Sequence, residues 1–266
     1  MKHTFLIFTF CCCSVFCFSQ TDTSVATTYK YSLYGIGVKQ QQVSYLSPLY
    51  YNGLSLMYSR GKVKPLSKNK MTSVVDVNFD IFGHSRSESI ILAFGADYTL
   101  NMLFLLPFKN AHLPKAYVGA GGWADAEIDT KLNNVNNGIY YNINNKICFS
   151  FALEKKFKYV YIFNECNLPL FGFYFGTEYS SILPYSMVEE EVLEADLSSG
   201  LKILDISQNT QIQNRLNVDF KIKSRTLRLQ YVVGYKMLRL NNNTVHNASH
   251  VLKIGYLFNK TPYVHK

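Results

Sequence analysis

The sequence predicts an all-β chain, an antiparallel transmembrane β-barrel of about twelve strands with ten as the alternative. Three observations lead there. Apolar and polar residues alternate with period two along most of the chain; the amino-terminal segment reads as an export signal; and Tyr and Phe crowd the strand ends. With 48% hydrophobic and 17% charged side chains among 266 residues, the chain has enough apolar surface to fold. Seven Pro and 15 Gly exclude collagen-like and low-complexity classes. After the first segment, no apolar run approaches the roughly 18 residues that a membrane-crossing helix needs.

The amino end sets the compartment. Met1-Lys2-His3 is a short basic start, Thr4 to Phe18 is apolar, and Ser19-Gln20 closes the run before Thr21-Asp22-Thr23. This is the pattern of a secretory signal peptide over residues 1–19, leaving a mature domain of residues 20–266. A lipoprotein signal ending at Cys17 is the alternative, although bulky Phe16 stands where a small residue is wanted. Four of the six cysteines leave with the signal, and Cys148 and Cys166 remain as structural thiols or one disulfide.

Strand patterns follow in order. Alternation is cleanest from Arg215 to Lys223 and from Thr226 to Met237, and is clear around Val75–Ile81, Ile147–Glu154 and Leu252–Phe258. Weaker versions cover Tyr29 to Val38, Leu54 to Arg60, Ile90 to Leu103, Lys115 to Trp123, Tyr159 to Phe163 and Phe171 to Gly176. Asn52-Gly53, Asn136-Asn137-Gly138 and Asn241-Asn242-Asn243 are among the turn signals between them. No linker divides the set, so one domain is expected.

Alternation alone does not say which face meets water. In a soluble exported barrel or sandwich binding lipid or carbohydrate, the apolar set points inward; in an outer-membrane barrel it points outward. Export, strand length and the aromatic strand ends (Tyr58, Tyr98, Tyr159, Tyr256, Phe258) favour the second. Leu216, Val218, Phe220, Leu227, Leu229, Tyr231 and Val233 then face lipid, while Asn217, Asp219, Arg228 and Gln230 face the lumen. Leu229→Arg is expected to be costly near the bilayer midplane and Arg228→Gln to cost far less. Lys253-Ile254-Gly255-Tyr256-Leu257-Phe258 is similar to the closing strand read by bacterial barrel-insertion machinery, although Asn259 to Lys266 follow it.

The charge is one-sided. Of 27 Lys and Arg, 11 lie from Leu197 onward against only Asp205 and Asp219, whereas the preceding residues balance at 16 each. Arg215, Lys221, Lys223, Arg228, Lys236 and Lys253 are expected to form a lumen-facing basic wall. That wall either pairs with Asp76, Asp80, Asp97 and Glu154 and plugs the barrel, or attracts small anionic solutes. The basic residues form no helix or arm, so nucleic acid is not an expected partner. The acidic run Glu189-Glu190-Glu191, Glu194, Asp196 reads as a solvated loop, its alternative being divalent cations near lipopolysaccharide.

Catalytic constellations are thin. Asp80, His84 and Ser85 supply the residue types of an outer-membrane lipid hydrolase, but neighbours in a strand point to opposite faces. His246 and His250 are expected in a surface loop flanking a turn. No phosphate-binding loop or metal motif is present, so no cofactor, metal or enzymatic activity is expected.

Several landmarks resemble a known family: Tyr34-Gly35-Ile36-Gly37 with Tyr45 to Gly53, Asn137 to Asn142, Leu168 to Gly172, Thr226-Leu227-Arg228 and Val233-Gly234-Tyr235. They look like those of an uncharacterised, domain-of-unknown-function family of exported Bacteroidota proteins regarded as outer-membrane barrels. The resemblance implies location and architecture: the outer membrane of a Gram-negative bacterium, with membrane lipid, lipopolysaccharide and the insertion machinery as partners. It carries over no catalytic residue. The expected role is structural, scaffolding or narrow-conduit.

Overall fold

A computed structural model describes residues 28–44, 46, 48–65, 69–84, 87–107, 113–132, 139–176, 201–240 and 243–260. The expected export signal, Ser85, the acidic run at 189–196 and Asn136-Asn137-Gly138 lie outside these. Eleven strands form: β1 (Thr28–Val43), β2 (Tyr51–Pro65), β3 (Asn69–His84), β4 (Ser87–Leu105), β5 (Lys115–Lys131), β6 (Ile139–Lys156), β7 (Val160–Gly176), β8 (Leu201–Asp205), β9 (Asn209–Ile222), β10 (Arg225–Leu240) and β11 (Asn243–Lys260).

Ten of them close into an antiparallel barrel. Sequential neighbours pair from β1 to β7 and from β9 to β11; β7 joins β9, and β11 joins β1. The short strand β8 pairs only with β7, opposite Phe171–Phe175, and continues along β7 where the β7–β9 ladder stops. The barrel thus has ten strands, the smaller of the two expected counts. Twelve overshoots because the strands run to 14–19 residues rather than nine or ten. The two segments expected at Tyr159–Phe163 and Phe171–Gly176 are moreover one strand. Pro169, which has no N–H for the ladder, sits at a register shift opposite Ile147 and Cys148, and the strand passes through as a bulge instead of ending.

An even strand number brings both described ends together: Thr28 pairs with Lys260. At this terminal end lie Pro65 and Asn69, Leu105 and Lys115, Lys156 and Val160, and Ile222 and Arg225; at the opposite rim lie Val43 and Tyr51, His84 and Ser87, Lys131 and Ile139, Gly176 and Leu201, and Leu240 and Asn243.

Polarity is inverted relative to a soluble protein. On β3, Val75, Val77 and Ile81 are exposed, while Asp76 is 1% and Asp80 0% exposed. The same inversion holds on β1, where Tyr34 is 70% exposed beside buried Leu33. A soluble barrel would bury the apolar set, because exposing so many large apolar side chains to water is unfavourable. Asn217, Asp219, Arg228 and Gln230 are buried inside, and Leu216, Val218, Phe220, Leu227 and Leu229 alternate with them on the other face.

Two members of the expected basic wall fall elsewhere. Lys221 and Lys223 are exposed in the β9–β10 hairpin, where Lys223 takes the left-handed conformation (φ 52°) and Ile222 pairs with Arg225. The alternation around them continues in sequence past the point where the chain leaves the barrel. His246 and His250, expected in a loop, lie on the outer face of β11, because the strand already begins at Asn243. Cys148 faces inward and Cys166 outward, and both are free thiols.

Candidate functional site

The interior of the barrel is the candidate site, and it is filled. Three layers stack along its axis, each assembled from inward positions of strands far apart in sequence.

Nearest the terminal end, Lys70 pairs with Glu154 and donates to the Tyr161 hydroxyl at 2.9 Å. Its ammonium stands 4.6 Å from the Phe163 ring centre and 4.9 Å from that of Tyr117, so aromatic faces replace the water it has lost. Beside it Arg228 forms a two-pronged pair with Asp219, at 2.6 and 2.7 Å, and its guanidinium lies 4.5 Å over the Tyr31 ring. Gly61 allows this stacking: a Cβ there would fall 2.0 Å from Tyr31 Cζ.

The middle belt is polar. Asp76 accepts from Arg215 at 3.1 Å, from Lys253 at 2.8 Å and from the Ser59 hydroxyl. Glu165 accepts from Thr72 at 3.3 Å and from Asn101, and Asn167 accepts from Ser150 at 2.8 Å. Higher up, Asp125 pairs with Lys146 and, at 3.1 Å, with Lys236, which also reaches Glu127 at 3.5 Å. Lys39 meets Asp80 at 2.5 Å, Gln41 donates to Asp129 at 2.6 Å, and the Trp123 indole donates to Asp97 at 3.1 Å. A chamber of about 80 Å³ remains between Asp97, Asp125, Glu127, Lys39 and Lys236, room for a few waters. Arg215 Nε and Nη1 and Gln213 Oε1 are buried donors and acceptors without a partner among the described residues.

The rim opposite the termini is closed by an apolar cap. Val43, Leu46, Tyr51, Phe82, Tyr140 and Tyr174 pack there with Leu204 of β8 and Leu238 of β10. Strand β8, although outside the barrel wall, thereby delivers Leu204 into this cap.

Arg215, Arg228, Lys236 and Lys253 are thus brought into the interior, each ion-paired; Lys221 and Lys223 are not. Sequence reasoning missed Lys39, Lys70 and Lys146, together with Asp125, Glu127, Asp129 and Glu165. Strand parity could have found them, since Lys146 shares the phase of Asn144 and Ser150 along β6. With these included, seven buried cations meet seven buried carboxylates among the described residues; half-buried Asp97 and Glu154 add two acids, and half-buried, inward-facing Lys131 and Lys202 add two bases. The interior is not basic, which removes the ground for a preference for small anionic solutes.

The His84 ring lies 5.6 Å from that of Tyr51 and is tilted against it by 56°, on the rim near the cap. His250 Nδ1 lies 2.8 Å from the Tyr231 hydroxyl on the outer face. No group of three or more His, Cys, Asp or Glu among the described residues is arranged to hold a metal ion.

The likeness to known proteins agrees with this architecture. Outer-membrane protease OmpT from Escherichia coli has a TM-score of 0.54 at 7% identity, over 91% of this chain and 99% of that one. The translocator domain of autotransporter NalP from Neisseria meningitidis gives 0.41 at 6% identity, over 96% and 97%. The COG4313 outer membrane channel from Pseudomonas putida F1 gives 0.37 at 8% identity, over 90% and 99%. At such identities the OmpT likeness is one of fold, and the barrel is that of an outer-membrane protein. No curated protein matches. The family described as "Protein of unknown function (DUF3316)" matches residues 4–262, and the chain belongs to it.

Proposed function

We propose, taking membership of this family as the premise, that the protein is an outer-membrane barrel with a structural or scaffolding role in the cell envelope, non-enzymatic and closed to bulk solutes. The inversion of polarity supports the membrane location. Ion-paired side chains meet inside where water or a substrate would otherwise pass, and exposed Leu54, Leu56, Ile128 and Phe94 stand outside where lipid would solvate them. A barrel of ten strands has a narrow interior to begin with, far below the 16–18 strands of open porins. The ion-paired belt and the apolar cap then occupy it in series, and this double seal carries the scaffold reading over the conduit reading. Membrane lipid, lipopolysaccharide and the barrel-insertion machinery are the partners such a protein would meet.

The reading is tested in two steps. Fractionation of cells is expected to place the protein with detergent-soluble outer membrane; recovery without detergent would remove the membrane location. Reconstitution in planar bilayers is then expected to give no stable large pore. Large, long-lived openings would show that the interior opens and would return the conduit reading.

A further inference from the structure

The net charge of +9 is not explained by the interior, where bases and acids balance among the described residues. It has to sit outside, and among the described residues much of it sits at one end. The outward side chains of β2, read toward the terminal end, are Leu54, Leu56, Tyr58, Arg60, Lys62 and Lys64, all exposed. On β1 the corresponding series is Val38, Ile36, Tyr34, Ser32 and Lys30; on β6 it is Ile147, Phe149, Phe151, Leu153 and Lys155. Each strand passes from apolar positions to cations as it nears the same end, on β1 and β2 by way of a tyrosine. This is the cross-section of a bilayer leaflet written in side chains: hydrocarbon, then interface, then headgroups.

Two details set Lys30, Arg60, Lys62 and Lys64 apart as cations that no carboxylate among the described residues answers. Lys30 and Lys62 are direct cross-strand partners, a like-charge pairing that is unfavourable unless a counter-charge lies against both. The carboxylates toward the same end of the barrel, Glu154 on β6 and Asp219 on β9, are turned inward to Lys70 and Arg228 and are not available outside. A second set continues around the same end, with exposed Lys156 closing β6, Lys158 after it, and Lys221, Lys223 and Arg225 at the β9–β10 hairpin. The two sets of turns are tied together, because Lys221 N donates to Tyr159 O at 3.1 Å.

We infer that the terminal end carries a basic collar that binds the phosphate headgroups of anionic phospholipid in the leaflet it meets, with Arg60, Lys62, Lys64 and Lys30 as its principal contacts. The inference rests on the membrane reading above and deepens it by naming the lipid class, the residues and the leaflet side. The outward direction of these side chains, directly below the apolar belt, fits a headgroup layer flanking the barrel. A soluble polyanion would more naturally be met by cations pointing along the axis.

The test uses the full chain purified in detergent and reconstituted in bilayers of phosphatidylethanolamine with phosphatidylglycerol as the anionic component. Retained lipid is counted by native mass spectrometry. The wild type is expected to retain phosphatidylglycerol over phosphatidylethanolamine, and added salt is expected to weaken the preference. Replacing Arg60, Lys62 and Lys64 together by Ser should lower the preference by at least about tenfold, from roughly fivefold per cation at a membrane surface. Arg239→Ser, a single charge removed at the opposite rim, should leave it unchanged, and circular dichroism checks that each variant keeps its strands. Equal retention of the two lipids by the wild type, or an unaltered preference in the triple variant, would overturn the collar. Binding of heparin by the solubilised protein without any phosphatidylglycerol preference would also overturn it, in favour of a soluble polyanion. Failure of the membrane reading is seen separately, as recovery of the protein without detergent.

Discussion

The charged belt in the middle of the barrel and the apolar cap at the rim seal the same interior by opposite chemistry. The cap needs only shape: Phe82, Tyr51, Ile91 and Leu238 exclude water because they are large and adjacent, and each loses contacts gradually if trimmed. The belt needs partners, since each buried charge is tolerable only while its counter-charge is in place. Neighbours in the cap can therefore relax into a gap, whereas neighbours in the belt are left with an uncompensated charge. The belt is the more demanding seal and the more specific one, since its pairs join strands such as β3 with β9 and β11 and so fix which strands meet across the lumen.

The contrast is sharpest at Asp76. Asp76→Ala would orphan Arg215 and Lys253 together, two fully buried cations, and is expected to cost on the order of 5 kcal/mol. Chemical denaturation from detergent micelles measures it, and Asp76→Asn, which keeps the shape, should remain strongly destabilising. If Asp76→Ala were as mild as a surface change, the belt would not be the seal described. Phe82→Ala in the cap is expected to cost about 3 kcal/mol or slightly more, and to raise leak conductance as the rim loosens. An equal or larger loss than at Asp76 would reverse the comparison. On the outer face, Leu229→Arg is expected to cost about 2–4 kcal/mol if it lies near the bilayer midplane. Its neighbour behaves differently from what alternation alone suggests. Arg228→Gln, at first sight a mild change in a polar lumen, breaks the two-pronged pair with buried Asp219 and is expected to rival Leu229→Arg.

That reversal shows where the sequence is legible and where it is not. Period two places Arg228 inside and Leu229 outside correctly, because side-chain direction is a local property of a strand. Whether Arg228 stands free or paired depends on the register between β9 and β10, where Arg228 is opposite Asp219, and no single strand carries that information. The same limit explains the basic wall: the charges on β9 to β11 are visible as a run, but Asp76, Asp125, Glu127 and Glu165, which answer them, come from β3, β5 and β7. Lys221 and Lys223 depart from expectation for a different reason. Alternation does not register where a strand leaves the barrel, and the hairpin at 223–224 has neither the Asn nor the Gly that usually marks a turn. Pro169 misleads in the other direction, because a bulge absorbs a proline that would otherwise end a strand. Strand β8 has no counterpart among the expected strands, since its five residues are too few for periodicity to show.

The single tryptophan of the chain, Trp123, is 3% exposed, donates to Asp97 and has the Lys146 ammonium 5.0 Å from its ring. Its ultraviolet emission therefore comes from inside the belt alone, without background from the lipid-facing surface. Transfer of the chain from urea into micelles should move that emission only when the charges around the indole have found one another. A time course of the fluorescence would date the closing of the interior separately from the growth of β-structure seen by circular dichroism.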